Sequence, residues 1–102
     1  MTKEEEFYIE IGQIIENAEQ SQMFGKPCFK INGKAFICFF QNEMVFKLTG
    51  EAHKNALSLY CSQLFDPSGK DRPMKEWVQV PFDYSEKWAE YSKSAMEYVK
   101  EK

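Results

Sequence analysis

The stretch Pro27-Cys28-Phe29-Lys30-Ile31-Asn32-Gly33-Lys34-Ala35-Phe36-Ile37-Cys38-Phe39-Phe40, continued by Gln41-Asn42-Glu43 and Met44-Val45-Phe46-Lys47-Leu48, decides the fold. Asn32-Gly33 is the strongest short-range hairpin signal, because both central residues of a type I′ turn need positive φ. A two-residue turn pairs Phe29 with Phe36 and Cys28 with Ile37. Phe29, Ile31, Phe36, Cys38 and Phe40 then share one face of the hairpin, and Cys28, Lys30, Ala35, Ile37 and Phe39 share the other. In that register Cys28 and Cys38 point to opposite faces, which forbids a disulfide between them. A three-residue loop, Gln41 to Glu43, sets Met44 opposite Phe40 and Phe46 opposite Cys38 in a third strand. It is preferred because a two-residue loop brings Glu43 and Lys47 to the core side.

Working outward, the N-terminal segment predicts a helix from Lys3 to Gln20, with Phe7, Ile11, Ile14, Ile15 and Ala18 on one stripe. Glu4, Glu5 and Glu6 suit the positive end of its dipole. Gly25 offers a stop or a turn. Beyond the three strands, Thr49 reads as the N-cap of a helix from Gly50 to Tyr60, with Ala52, Ala56, Leu57 and Tyr60 inward. Cys61 to Phe65 is a short fourth strand, Asp66-Pro67-Ser68-Gly69 a turn, and Met74 to Val80 a fifth strand closed by Pro81. Asp83 and Glu86 form a capping box for a last helix, Tyr84 to Lys100, whose buried stripe is Trp88, Tyr91, Ala95, Tyr98 and Val99. The order α-β-β-β-α-β-β-α predicts an α+β domain with a five-stranded, mostly antiparallel sheet and packed helices.

The 102 residues make one domain, 1–102, with ample core material: 43% are hydrophobic and 16% aromatic. Met1 to Glu6 is polar and acidic, unlike a secretory leader, and no apolar run reaches membrane-spanning length. Three cysteines, an odd number, suit free thiols in a reducing compartment, so a cytoplasmic location is expected. The net charge of −3 is uneven. Residues 1–23 carry one Lys and six Glu, while 24–75 carry eight Lys or Arg and four acids. Overall acidity opposes tight binding to nucleic acid, and the middle segment allows weak binding at most.

No catalytic, cofactor-binding or metal-ligating set emerges. His53, the single histidine, has no triad partner at a useful spacing and reads as a solvated helical residue. No Cys-x-x-Cys pair is present. Cys28, Cys38 and Cys61 lack a flanking base, and Cys38 reads as core. Glu4 to Glu6 reads as a solvated helix start, and Asp66 to Lys70 as a turn without phosphate-loop spacing. What remains is the second sheet face, which mixes Lys with apolar bulk. Lys30, Ile37, Phe39, Val45 and Lys47, joined by Trp77, form a candidate partner surface, for a protein partner or a second copy of the chain. Phe39→Glu is then expected to break a dimer and spare the fold.

Several motifs carry a resemblance. Met23-Phe24-Gly25, the hairpin Asn32-Gly33-Lys34-Ala35-Phe36, the strand Met44-Val45-Phe46-Lys47-Leu48 and the run Met74-Lys75-Glu76-Trp77-Val78-Gln79-Val80-Pro81 look like stretches of the TfoX N-terminal domain family. Lys26-Pro27 departs from the small residues that usually follow the first motif. The resemblance implies a secretion-chaperone-like α+β fold and a non-enzymatic regulatory or protein-interaction module, linked to transcription or competence regulation. It implies no catalytic residue and no cofactor. The competence regulators carry a helical C-terminal domain, and its lack after Lys102 leads us to expect a stand-alone domain. Two other readings compete: a DNA-binding domain of the YjbR-like type, and a small thiol-dependent enzyme acting through Cys28 or Cys61.

Overall fold

The computed structural model describes residues 2–66 and 74–101. Its elements run α1 (Lys3–Ile14), β1 (Glu19–Met23), β2 (Lys26–Ile31), β3 (Lys34–Phe40), β4 (Glu43–Lys47), α2 (Gly50–Ser58), β5 (Gln63–Phe65), β6 (Met74–Val80), a 3-10 helix (Phe82–Lys87) and α3 (Trp88–Lys100). The domain is α+β, with one open sheet of six strands in the order β1-β2-β3-β4-β6-β5. Every neighbouring pair is antiparallel.

The sixth strand comes from the end of the expected first helix. That helix stops at Ile14, and Asn17 takes a positive φ of 69°, a conformation asparagine tolerates better than most residues. Glu19 to Met23 then runs antiparallel to β2 through a two-residue turn at Phe24-Gly25. Both turn residues have positive φ, 54° and 75°, as a type I′ turn requires. At the other end of α1, Thr2 caps the helix by accepting the Glu5 amide at 3.1 Å.

The Asn32-Gly33 turn forms as expected, pairing Ile31 with Lys34 and Lys30 with Ala35. The register then shifts, so that Phe29 faces Ile37 and Cys28 faces Cys38. Phe36 is the extra residue of a β-bulge, and Phe36 and Ile37 both join the helix-side core. The expected Phe29–Phe36 pairing is therefore wrong, and so is the assignment of Cys28 and Cys38 to opposite faces. The next turn is also shorter than expected. Gln41 and Asn42 alone turn the chain, with φ of 53° and 63°, so Phe40 pairs with Glu43 and Phe39 with Met44. Glu43 and Lys47 do share a face with Cys38 and Phe40, but it is the face on which none of the described helices packs, where their polar groups are tolerated.

The main core lies between the sheet and the helices. Tyr8 and Ile11 of α1, Ala56 of α2 and Trp88, Tyr91, Ala95 and Val99 of α3 pack on Phe29, Ile37, Phe39, Met44, Phe46, Val78 and Val80. Gly12 lets α1 approach the sheet, since a Cβ there would overlap the Phe29 ring. Trp88 is held by Phe7, stacked at 5.8 Å, and by Phe82, edge-on at 5.3 Å. A second, smaller cluster of Cys28, Cys38, Val45, Phe65 and Trp77 sits on the opposite sheet face and, among the described residues, contains strand residues only.

Four further expectations change at the ends of elements. Thr49 is at the N-cap of α2 but makes no side-chain capping bond, and Tyr60, expected inward, is 83% exposed. Cys61 lies outside β5, exposed, at φ 70°. The capping box at Asp83 and Glu86 is replaced by the 3-10 helix, and α3 starts at Trp88. Past Asp66, the turn expected over 66–69 lies outside the described residues.

Candidate functional site

The six residues expected to form one partner surface fall on two faces. Ile37 and Phe39 belong to the helix-side core, Ile37 fully buried and Phe39 8% exposed with its ring stacked on Tyr8 at 5.2 Å. The bulge at Phe36 is the cause, because one extra residue exchanges the faces of all that follows it on the strand. Phe39→Glu therefore strikes the core rather than a dimer contact. The other four do come together on the helix-free face. Val45 and Trp77 are buried in the second cluster, and Lys30 and Lys47 are half-buried beside it.

That face is largely closed by its own side chains. Phe40 meets Phe65 edge-on at 5.3 Å, and Phe65 lies 6.5 Å from Trp77. The Lys26 ammonium sits 5.3 Å from the Phe40 ring centroid, and the Lys47 ammonium 6.0 Å from that of Trp77. Lys47 also lies 4.0 Å from Glu76 Oε1. Gln79, buried, donates from Nε2 to Glu43 Oε1 at 2.8 Å. These contacts make a satisfied second core with a lysine rim, which differs from the open apolar patch expected.

An open apolar surface lies elsewhere, between the C-terminal end of α1 and α3. Ile11, Ile14, Ile15, Ala89 and Met96 line a groove of about 310 Å³, with Glu16 and Lys93 supplying one charge of each sign. Ile14 is 78% exposed there. Sequence reasoning placed Ile14 on the buried stripe. The helix ends at that residue, however, and Ile14 is exposed while Ile11 and Gly12 of the same turn are buried against the sheet. The signal that could have found the groove is the run Ile11, Ile14, Ile15, which offers more apolar surface than a short helix can bury on one side.

His53, Cys28, Cys38 and Tyr8 are engaged in the fold, while Cys61 is exposed. The His53 ring Nε2–H donates to the Lys75 carbonyl at 2.8 Å, joining α2 to β6. Burial pushes the Cys38 thiol far up, with the neighbouring Cys28 adding to the effect. Burial also raises Cys28, against a lowering pull from Lys30. Tyr8, with its hydroxyl buried, is raised by burial and then by Cys38, Cys28 and Glu5. Among the described residues no group of three or more His, Cys, Asp or Glu is placed to hold a metal ion. No helix among them is long and apolar enough to cross a membrane. Compared with family models, with curated proteins and with solved structures, the chain matches none.

Proposed function

We propose that the chain is a non-enzymatic regulatory or protein-interaction module of the TfoX N-terminal type, acting in the cytoplasm. Its docking site is the groove between α1 and α3, and the occupant is a second copy of the chain. The observation that carries this reading is Ile14, a large aliphatic side chain held in water at the mouth of an apolar groove. Exposed apolar surface that is grouped rather than scattered marks association sites. The run of an N-terminal helix, an antiparallel meander, a short helix, two strands and a closing helix supports the family type.

The charges at the groove favour self-association. Glu16 and Lys93 lie at the same groove, and a two-fold axis that passes between them, across the line joining them, brings Glu16 of each copy toward Lys93 of its mate. Such isologous pairing is the commonest oligomeric arrangement. Seven lining residues make a small contact, well below the ~1,000 Å² expected of a permanent interface. The dimer is accordingly weak and concentration-dependent. Methyl resonances of Ile11, Ile15 and Met96 followed on dilution test it: they shift together with the sedimentation-average mass. Resonances that stay constant while the mass changes place the contact on another surface and sink this reading.

A further inference from the structure

We propose that Cys28 and Cys38 form an oxidation site, a cross-strand dithiol that a hydroperoxide converts into an intramolecular disulfide. This proposal is independent of the docking groove and survives its failure. The warrant is the register. Cys28 on β2 and Cys38 on β3 are direct partners in an antiparallel ladder, and both belong to the cluster on the helix-free face. Directly opposed residues in such a ladder have Cα atoms about 4.5–5.5 Å apart. Disulfides span roughly 4.4–6.8 Å between Cα atoms, a span within which directly opposed ladder partners fall. Cys61, the third cysteine, is exposed and outside the sheet.

Both thiols are buried, Cys28 at 1% and Cys38 at 0% exposure, so an oxidant reaches them through local opening at the edge of the sheet. No helical residue belongs to the cluster around the two thiols, whose partly buried neighbours are Met23, Ala35, Phe40 and Met74. β1, which covers β2 on its outer side, is an edge strand of the sheet. Local opening at this edge leaves the main core folded, because the helices pack on the other face of the sheet.

The chemistry assigns an order to the two sulfurs. Lys30, two residues along β2, favours the ionised form of Cys28 and offsets part of its burial, while Cys38 has no such help. The Cys28 thiolate attacks a peroxide oxygen and the O–O bond breaks. One peroxide oxygen stays on Cys28 Sγ as a sulfenic acid, and the alkoxide that departs takes up the proton Cys28 had lost, giving an alcohol, or water when the oxidant is hydrogen peroxide. The Cys38 sulfur then attacks Cys28 Sγ, the S–S bond forms, and the departing hydroxide leaves as water with the Cys38 proton. Two thiols are oxidised and one peroxide is reduced.

The test uses the full reduced chain and hydrogen peroxide, followed by alkylation in denaturant and peptide mapping without reductant. Folded protein is expected to lose two of its three alkylatable thiols, to yield one linked peptide pair joining Cys28 to Cys38, and to keep Cys61 alkylated. The same chain oxidised while denatured yields a mixture of pairings. Three alkylated cysteines from the folded protein, at a peroxide dose that links the denatured chain, overturn the proposal. So does a folded-state product in which Cys61 replaces either partner.

Discussion

Gly12 sits where α1 meets β2, and the Phe29 ring occupies the volume that a Cβ would take. Two effects oppose each other in Gly12→Ala. Alanine gains about 1 kcal/mol of helix propensity over glycine, while forcing a methyl into a filled core costs roughly 1–3 kcal/mol. The clash is with a ring that is 1% exposed and packed edge-on against Tyr8 at 5.3 Å, so it cannot swing away. The clash wins, and we expect Gly12→Ala to lose about 1–2 kcal/mol in urea unfolding. Unchanged or increased stability would mean that α1 stands off the sheet. Phe39 is the second informative residue. Glutamate in its place buries a carboxylate against Tyr8 with no cationic partner, which costs several kcal/mol out of a total of about 5–15. Phe39→Glu is expected to abolish the cooperative thermal transition in circular dichroism. A folded, merely monomeric variant would restore the surface first expected from the hairpin pattern.

At the scale of elements, the turns are informative because three successive hairpins use two-residue turns with positive φ, at Phe24-Gly25, Asn32-Gly33 and Gln41-Asn42. The first is costly, since a bulky residue in the left-handed region loses about 1–2 kcal/mol and Phe24 regains little of it, being 64% exposed. Phe24→Asn recreates the Asn-Gly pair and is expected to raise stability by about 1 kcal/mol, read as a higher urea midpoint at unchanged slope. A loss would show that the Phe24 ring is packed. The legibility of the elements follows the same physics. The Asn32-Gly33 turn and β6 are readable because turn chemistry and flanking prolines mark them. The bulge at Phe36 is not, because Ala35 to Phe40 is apolar throughout and its alternation carries no face information. β1 is hidden for the opposite reason: Glu19, Gln20, Ser21 and Gln22 form a polar edge strand with no apolar period. Without the bulge and the shorter second turn, Ile37 and Phe39 are assigned to the wrong face and the candidate surface with them.

At the scale of the molecule, the sheet carries two cores of unequal size, and the helices cover only the larger. The face expected to attract a partner closes on itself through Phe40, Phe65 and Trp77, with lysines at its rim. Of the exposed large hydrophobic side chains, Ile14 sits in an apolar groove between two helices. Self-association through that groove is the central claim, and replacing Ile14 tests it with little risk to the fold, because the side chain is already in water. Sedimentation equilibrium on the wild type and Ile14→Glu, over the same concentration range and with circular dichroism as a check on folding, is the most direct measurement. The wild type is expected to rise from the 12.0 kDa chain mass toward twice that value as concentration increases, while folded Ile14→Glu stays at the chain mass. A wild type that remains monomeric throughout, or an Ile14→Glu protein that associates as strongly as the wild type, contradicts the account.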